Sequence, residues 1–296
     1  MRRVQKMSRG SIKIGNKFVG DGHPCFVVAE IGINHNGDLE TAKKLVRMAY
    51  NSGCDAVKFQ KRTVDAVYSA EELAAPRVSV FGTTNGDQKR GLELSLEAYD
   101  AIDVLCKELG MMWFASCWDT GSVDDILCNF FSPCFKVASA SLTDMRLLRK
   151  LKDLDVPLLV STGMSTLQEI DDAVALLGDH PFMLYHCTST YPCKNEEINL
   201  RAIAMLKARY NVPVGYSGHE KGIMPSVMAV AMGACSVERH ITLDRTLWGS
   251  DQAASLEPEG LERMIRDIRN VPLVLGDGQK VVYPSEVPVR AKLRKN

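Results

Sequence analysis

Charge of neither sign predominates in this sequence: 36 lysines and arginines face 36 aspartates and glutamates over 296 residues. A chain without a net field has no long-range pull on nucleic acid or on an anionic membrane, so any anion must be held by a local cluster and the expected partner is small. Long apolar runs are missing too. None reaches the roughly 18 to 20 residues that cross a bilayer, and the N-terminal "MRRVQKMSRG" has no apolar core behind its basic residues for secretion. A cytoplasmic protein is expected. Cysteine is present nine times but never as C-x-x-C; scattered thiols inside apolar runs suit reduced cysteines used as small hydrophobes, not a zinc or disulfide framework. The basic tail "VRAKLRKN" has no aromatic residue among its charges, which favours a solvated end over a nucleic-acid arm.

What is present is a repeat. With 46% hydrophobic and 24% charged residues the chain can bury a large core. Apolar, β-rich runs recur as "CFVVAEIG" from Cys25, "AVKFQK" from Ala56, "MMWFASC" from Met111, "CFKVAS" from Cys134, "PLLVSTG" from Pro157, "FMLYHCT" from Phe182, "VPVGYSG" from Val212 and "CSVERHIT" from Cys235. Amphipathic stretches separate them. In "LETAKKLVRMAYNSG" the residues Leu39, Ala42, Leu45, Val46 and Ala49 keep helical spacing and Gly53 supplies the stop. Strand then helix, eight times in about 250 residues, is what an α/β closed parallel (β/α)8 TIM barrel requires. The rival, an open doubly wound sheet, lacks its G-x-G-x-x-G turn after the first strand.

The boundaries follow. "SIKIGNKFVG" (11–20) alternates around Gly15 and Asn16 and predicts a β-hairpin plugging the barrel's N-terminal end. The barrel occupies about 25–275 and a tail 276–296, within one domain; "GDGQK" at Gly276 lacks phosphate-loop spacing and reads as a turn. The connection 63–93, with "FGTTNGDQKRG", reads from its Gly, Asn and Thr content as a long loop over the C-terminal face.

In such a barrel the C-terminal strand ends converge on the active site. Read in order they are Glu30; Lys58 and Gln60; Ser116; Lys136 and Ser139; Ser161 and Thr162; His186 and Thr188; Ser217 and His219; Glu238 and His240. A lone polar residue in a strand has a bland explanation at an edge or in a satisfied core. Polar groups at the same end of all eight strands do not, because burying each without use costs several kcal/mol. Lys58 and Lys136, with the hydroxyls of Ser139, Ser161 and Ser217, suit phosphate and carboxylate oxygens, so a small, doubly anionic substrate is expected. His219 and His240 end neighbouring strands and can share a divalent ion with water completing its shell. Glu30, next to the eighth strand after closure, can serve as general base or position a water. Asn34, His35 and Asn36 are expected to shape the first loop through backbone hydrogen bonds. Ser165 is a candidate cap for the helix beginning near Thr166, and the 161–165 amides can alternatively face an anion.

Taken together, "FVVAEIGINHNGDLETAKKLV", "AVKFQ", "FKVAS", "LLVSTGM", "HCTSTYP", "GYSGHEKG" and "SVERHITLDR" resemble the sialic acid synthase (N-acetylneuraminate synthase) family, in matching order over roughly 12–286. The resemblance implies a barrel that condenses phosphoenolpyruvate with an open-chain aldose, N-acetylmannosamine or a modified relative. The products would be a 3-deoxy-2-keto nine-carbon acid and phosphate, and a divalent metal, manganese or magnesium, would be required. It also implies roles: Glu30 for the proton and water chemistry; Lys58 and Lys136, counted with Glu30 as catalytic, holding phosphoenolpyruvate with Ser139, Ser161 and Ser217; His219 and His240 as metal ligands; Gln60, Tyr191 and Asp251 facing the sugar. Ser116 and Thr188, from the strand-end reading, and Ser189 complete the expected substrate-binding set. Two positions depart from the family pattern, Ser141 where an acidic residue is common and Ser189 where Asn is common. Members typically continue into an antifreeze-like C-terminal domain that caps a partner's site. This sequence reaches Asn296 without one, so a separate capping protein, the long loop, or an acceptor needing no cap is expected, and a homodimer is one expected assembly. A synthase for a non-acetamido acceptor is the alternative within enzymes. From a different class, a non-catalytic barrel binding a sugar acid or a partner is opposed by the presence of Glu30, both lysines and both histidines.

Overall fold

The computed structural model describes residues 10–295, so "MRRVQKMSR" and Asn296 lie outside the described residues. A hairpin, β1 (Ser11–Ile14) and β2 (Lys17–Gly20), precedes β3 (Phe26–Gly32) and β4 (Ala56–Lys61). A two-stranded ribbon, β5 (Pro76–Ser79) and β6 (Gly82–Thr84), then interrupts the repeat. The chain resumes with β7 (Met112–Cys117), β8 (Phe135–Val137), β9 (Leu158–Ser161), β10 (Phe182–Cys187), β11 (Val214–Gly218) and β12 (Ser236–His240). Strands β3, β4 and β7 to β12 form a closed parallel barrel, with β12 pairing with β3. The open-sheet rival is excluded.

Among the described residues, α1 (Leu39–Ser52) follows β3, and α2 (Val64–Val67), α3 (Ala70–Ala74) and α4 (Asn85–Leu92) belong to the connection after β4. The outer ring is completed by α5 (Leu96–Leu109), α6 (Thr120–Asn129), α7 (Met145–Lys152), α8 (Leu167–Leu177), α9 (Arg201–Tyr210), α10 (Met224–Ala231) and α11 (Pro258–Leu275). Strand alternation divides the core in two. Outward residues such as Val27, Ala29 and Ile31 pack against the helices, while inward Phe26, Val28, Ala56, Phe114, Leu159 and Met183 fill the lower interior together with Ile12, Ile14 and Val19 of the hairpin. The hairpin is therefore the plug that its alternation predicts.

Local signals decide the helix ends. Asp38 accepts the Thr41 amide at 2.7 Å to start α1, and Gly53 ends it at φ 85°, a left-handed turn that glycine adopts without strain. The expectation of a loop over 63–93 is corrected here. Capping boxes at Ser69 with Glu72 and at Thr84 with Asp87 begin α3 and α4, so the threonine-rich run is a helix start and not loop composition. Gly91 sits inside α4 because a Cβ there would meet the Phe81 ring at 2.3 Å. This arm reaches the rim, where Phe81 packs edge-on against Trp248 at 6.0 Å. The helix-cap expectation for Ser165 is also corrected: Thr166 caps α8 in a box with Glu169, and the Ser165 hydroxyl donates instead to the Gly163 carbonyl at 3.2 Å.

All nine cysteines are free thiols, most of them buried. No helix among the described residues is long and apolar enough to cross a membrane. The tail forms a short, solvent-exposed helix, α12 (Val287–Leu293).

Candidate functional site

Inward positions change character halfway up the barrel. Above the apolar floor β3 presents Glu30, β4 Lys58 and Gln60, β7 Ser116, β8 Lys136, and β12 Glu238 and His240. Strand register sets them side by side: Glu30 stands opposite both His240 and Lys58, Ser116 opposite both Gln60 and Lys136, and Ser217 opposite Glu238. Together with Ser139, Ser161, Ser189, Tyr191 and His219 they enclose a cavity of about 200 Å³. Two roomier grooves border the hairpin, but they lack convergent catalytic groups and lie away from the strands' C-terminal ends.

Four charges alternate across the cavity floor. Lys136 Nζ donates to both Glu238 oxygens, at 3.0 and 3.1 Å. Lys58 Nζ lies 3.3 Å from Glu238 Oε1 and 3.1 Å from Glu30 Oε2, and it donates to Ser116 Oγ at 3.1 Å. Burial opposes both lysine charges. For Lys58 the two glutamates outweigh burial and its pKa rises above the ordinary lysine range; for Lys136 burial prevails over Glu238 and its pKa falls. Glu238 is held below the usual carboxylate range by Lys136 and Lys58 despite complete burial. The two lysines and two glutamates thus balance in charge; Lys58 faces three acceptors, whereas Lys136 has only the two Glu238 oxygens and keeps one N–H for an anion.

The remaining corner is imidazole. His219 Nδ1 donates to the Thr188 carbonyl at 2.7 Å, which leaves Nε2 with its lone pair. Burial first, and His240 second, push the His219 pKa down to about 3, so the ring is neutral. His240 lies 5.6 Å away centroid to centroid, and its Nδ1 is buried without a hydrogen-bond partner, 3.8 Å from Asp251 Oδ2. Tyr191 packs on His219 at 4.1 Å. Gly32, at φ 55°, allows the close packing: a Cβ there would lie 3.1 Å from Glu30 Oε1, 3.2 Å from Gln60 Nε2 and 3.4 Å from His240 Cε1. Two adjacent imidazoles, one with an orphaned buried ring nitrogen, fit a divalent ion. Among the described residues no group of three or more His, Cys, Asp or Glu side chains makes a complete protein site, so substrate oxygens and water would fill the shell.

The sequence-predicted residues divide as follows. Glu30, Lys58, Gln60, Ser116, Lys136, Ser139, Ser161, Ser189, Tyr191, Ser217, His219 and His240 all line the cavity, and Asp251 stands behind His240. Thr188 does not join them. Its hydroxyl donates to the Glu197 carbonyl at 2.9 Å, and its contribution is the carbonyl that orients His219. Two amides of 161–165 are committed within the protein: Thr162 N–H is given to the Tyr185 carbonyl at 3.0 Å and Gly163 N–H to Ser139 Oγ at 3.1 Å. Ser141 is buried and outside the cavity lining, and no residue of 63–93 lines it. Gln60 is not free, because Arg62 donates to its oxygen and its Nε2 donates to Glu30 Oε1 at 3.0 Å. Of the lining residues, Trp118, Ala138, Ala140 and Met164 were not singled out in the sequence, and Glu238 was placed among the strand ends without a chemical role. Glu238 shares a strand face with His240, a period-two signal that could have promoted it. Trp118, whose buried Nε1 has no partner and whose ring carries the Arg62 guanidinium at 4.7 Å, ends the strand run "FASCW".

The first loop behaves as expected. Asn34 Nδ2 donates to the Ile241 carbonyl and to Ser255 Oγ, both at 2.8 Å, and Asn36 Nδ2 donates to the Trp248 carbonyl at 2.9 Å. His35 Nδ1 accepts the Gly37 amide at 3.0 Å, and burial pushes its pKa down to about 4. Because the unfolded state binds the extra proton, stability falls as pH drops below the unfolded value of 6.5 toward the folded one. The His35 share of that loss is about 2 kcal/mol at pH 5 by linkage. Urea unfolding at pH 7 and pH 5 should show a smaller pH-dependent loss in His35→Asn, whose side-chain oxygen keeps the acceptor; equal losses in both proteins would contradict it.

Comparison with known proteins agrees with this geometry. The human N-acetylneuraminate-9-phosphate synthase is 40% identical over 286 residues, covering 95% of this chain and 79% of that one. The N,N'-diacetyllegionaminic acid synthase of Legionella pneumophila is 36% identical, covering 95% and 82% respectively. Among solved structures, the N-acetylneuraminic acid synthetase of Leptospira borgpetersenii in complex with citrate superposes with a TM-score of 0.83 at 29% identity, over 97% of this chain and 98% of that one. Residues 45–280 match the NeuB family, and with a closed barrel whose polar strand ends gather in one cavity, the chain belongs to that family of synthases.

Proposed function

We propose that the chain condenses phosphoenolpyruvate with an open-chain N-acetylmannosamine-like aldose and water, giving a sialic-acid-like 3-deoxy-2-keto acid and phosphate. The observation that carries this reading is one cavity in which two buried lysines and three serine hydroxyls adjoin a pair of imidazoles. Lys58 and Lys136, with Ser139, Ser161 and Ser217, would hold the carboxylate and phosphate. Gln60, Ser116, Ser189 and Tyr191 would border the substrates, with Asp251 behind His240. A divalent metal, manganese or magnesium, would be held by His219 and His240, and when bound it supplies Lewis-acid polarisation of the aldehyde oxygen.

The chain's own groups account for the rest. The C2=C3 π pair of the enol phosphate bonds C3 to the aldehyde carbon, whose carbonyl π pair passes to its oxygen; that oxygen takes up a proton, and C2 is left electron-deficient. Water adds at C2 with Glu30 accepting its proton; Glu30 is oriented for this by Gln60 and Lys58. Collapse of the tetrahedral carbon breaks its bond to the phosphate oxygen; the electron pair leaves with phosphate toward Lys58 and Lys136, and the C2 hydroxyl gives up its proton to the departing phosphate as the ketone forms. A second reading, a non-acetamido acceptor, is favoured by Ser189, whose short side chain stands in the cavity wall with a buried, unpartnered hydroxyl. The test is phosphate release from phosphoenolpyruvate with manganese and a panel of N-acetylmannosamine, its 6-phosphate, a 2,4-diacetamidohexose and mannose. Release with an N-acylated sugar is expected; release with mannose alone would select the second reading, and silence together with no phosphoenolpyruvate binding would sink both.

A further inference from the structure

We infer that Arg239 and Glu220, buried on the outer side of the barrel wall, form a clasp that fixes the spacing of the His219 and His240 imidazoles; this rests on reading those histidines as a metal-holding pair. The two residues adjoin the histidines in sequence, Glu220 after His219 and Arg239 before His240. Strand alternation sends Arg239 away from the cavity, and both side chains are 0% exposed. The β11–β12 ladder ends at the pair Gly218 and Arg239, so His219 and His240 lie beyond its last rung. At their level the guanidinium takes the ladder's place. Arg239 Nη1 donates to Glu220 Oε1 at 2.8 Å, to the Gly222 carbonyl at 2.8 Å and to Ser226 Oγ at 3.0 Å, while Nη2 donates to the Glu220 carbonyl at 2.6 Å. One side chain of β12 thereby gathers four acceptors from the loop and helix start that follow His219.

The carboxylate is fixed in turn. Tyr216 donates its hydroxyl to Glu220 Oε2 at 2.7 Å, and a Cβ at Gly218 would fall 2.6 Å from that oxygen and 2.8 Å from the Tyr216 ring. The clasp thus closes over glycine backbone. Stability alone is a poor account of it, since buried ion pairs can often be replaced by apolar residues of similar size without loss. What an apolar pair lacks is the directional, forked hydrogen bonding that sets a backbone-to-backbone spacing. Groups behind metal ligands that set their orientation typically change metal affinity about 10- to 100-fold when removed.

The experiment is manganese titration of the substrate-free protein, followed by the spin-resonance signal of free manganese, on wild type, Arg239→Lys and the double variant Glu220→Leu/Arg239→Met. Phosphoenolpyruvate affinity without metal and the melting midpoint are measured on the same samples. Both variants should bind manganese about 10- to 100-fold more weakly, with phosphoenolpyruvate affinity changed less than about twofold, because the lysine floor stands apart from the clasp. A folded double variant with wild-type manganese affinity overturns the inference, whatever its melting midpoint. Should the double variant fail to fold, Arg239→Lys, which keeps the buried charge and loses the fork, decides in the same way. His219→Ala serves as the control: manganese affinity unchanged there would overturn the histidine reading itself, and the clasp with it.

Discussion

Lys136→Met is expected to lower kcat/KM for phosphoenolpyruvate by about a thousandfold, the scale set by losing a preorganised donor to a developing anion. The side chain is 2% exposed, lies on the Tyr185 ring with Nζ 4.8 Å from its centroid, and spends two N–H bonds on Glu238. Its third hydrogen is available to a ligand. Methionine fills nearly the same volume without a donor, and Glu238 keeps Lys58 at 3.3 Å, so the fold should survive. Because the side chain is buried, the ammonium acts at lower dielectric than in solution, where it is worth more to a departing phosphate. Steady-state phosphate release at saturating aldose measures the effect. A loss below tenfold would show that Lys136 is a structural counter-ion for Glu238 and no more.

Glu238→Gln should do the opposite kind of damage. The carboxylate is shared by two buried ammonium groups, and Gln leaves Lys136 without a counter-charge while Lys58 retains Glu30. Breaking a buried pair from one side costs about 3–5 kcal/mol, readable by urea unfolding at pH 7. The pH dependence carries the sign. A lysine whose folded pKa is depressed binds fewer protons folded than unfolded, so its penalty fades as pH rises toward the unfolded value. In the wild-type protein the downward shift of Lys136 and the upward shift of Lys58 oppose each other. In Glu238→Gln both lysines lose Glu238 and their pKa values move down, so the variant should regain stability between pH 7 and pH 9.5 relative to wild type. A constant deficit across that range would mean that Lys136 stays protonated beside Gln.

The barrel could be read from the chain because its grammar is local. Period-two strands, 3.6-residue helices and glycine stops such as Gly53 each occupy a few consecutive residues. The polar strand ends were legible for the same reason: Glu30 and Lys58 stand out against Val28 and Ala56 on the same inward faces. Contacts across the barrel axis were not. Glu238 meets Lys136 across 102 residues of sequence, and no pattern along β12 shows that reach. The connection after β4 misled because the residues that open helices, Ser69 and Thr84, belong to the same vocabulary as turns. Thr188 misled differently. It follows β10 where a hydroxyl was expected to face the cavity, but the backbone turns there and presents its carbonyl to His219.

The hairpin packed under the barrel floor has a kinetic corollary. Ile12, Ile14 and Val19 close the lower interior, making the cavity a blind well with its mouth at the strands' upper ends. Reactants and products must pass through the same doorway. Under the proposed chemistry, whatever settles on the lysine floor enters first, and phosphate released there must wait for the sugar acid above it to leave.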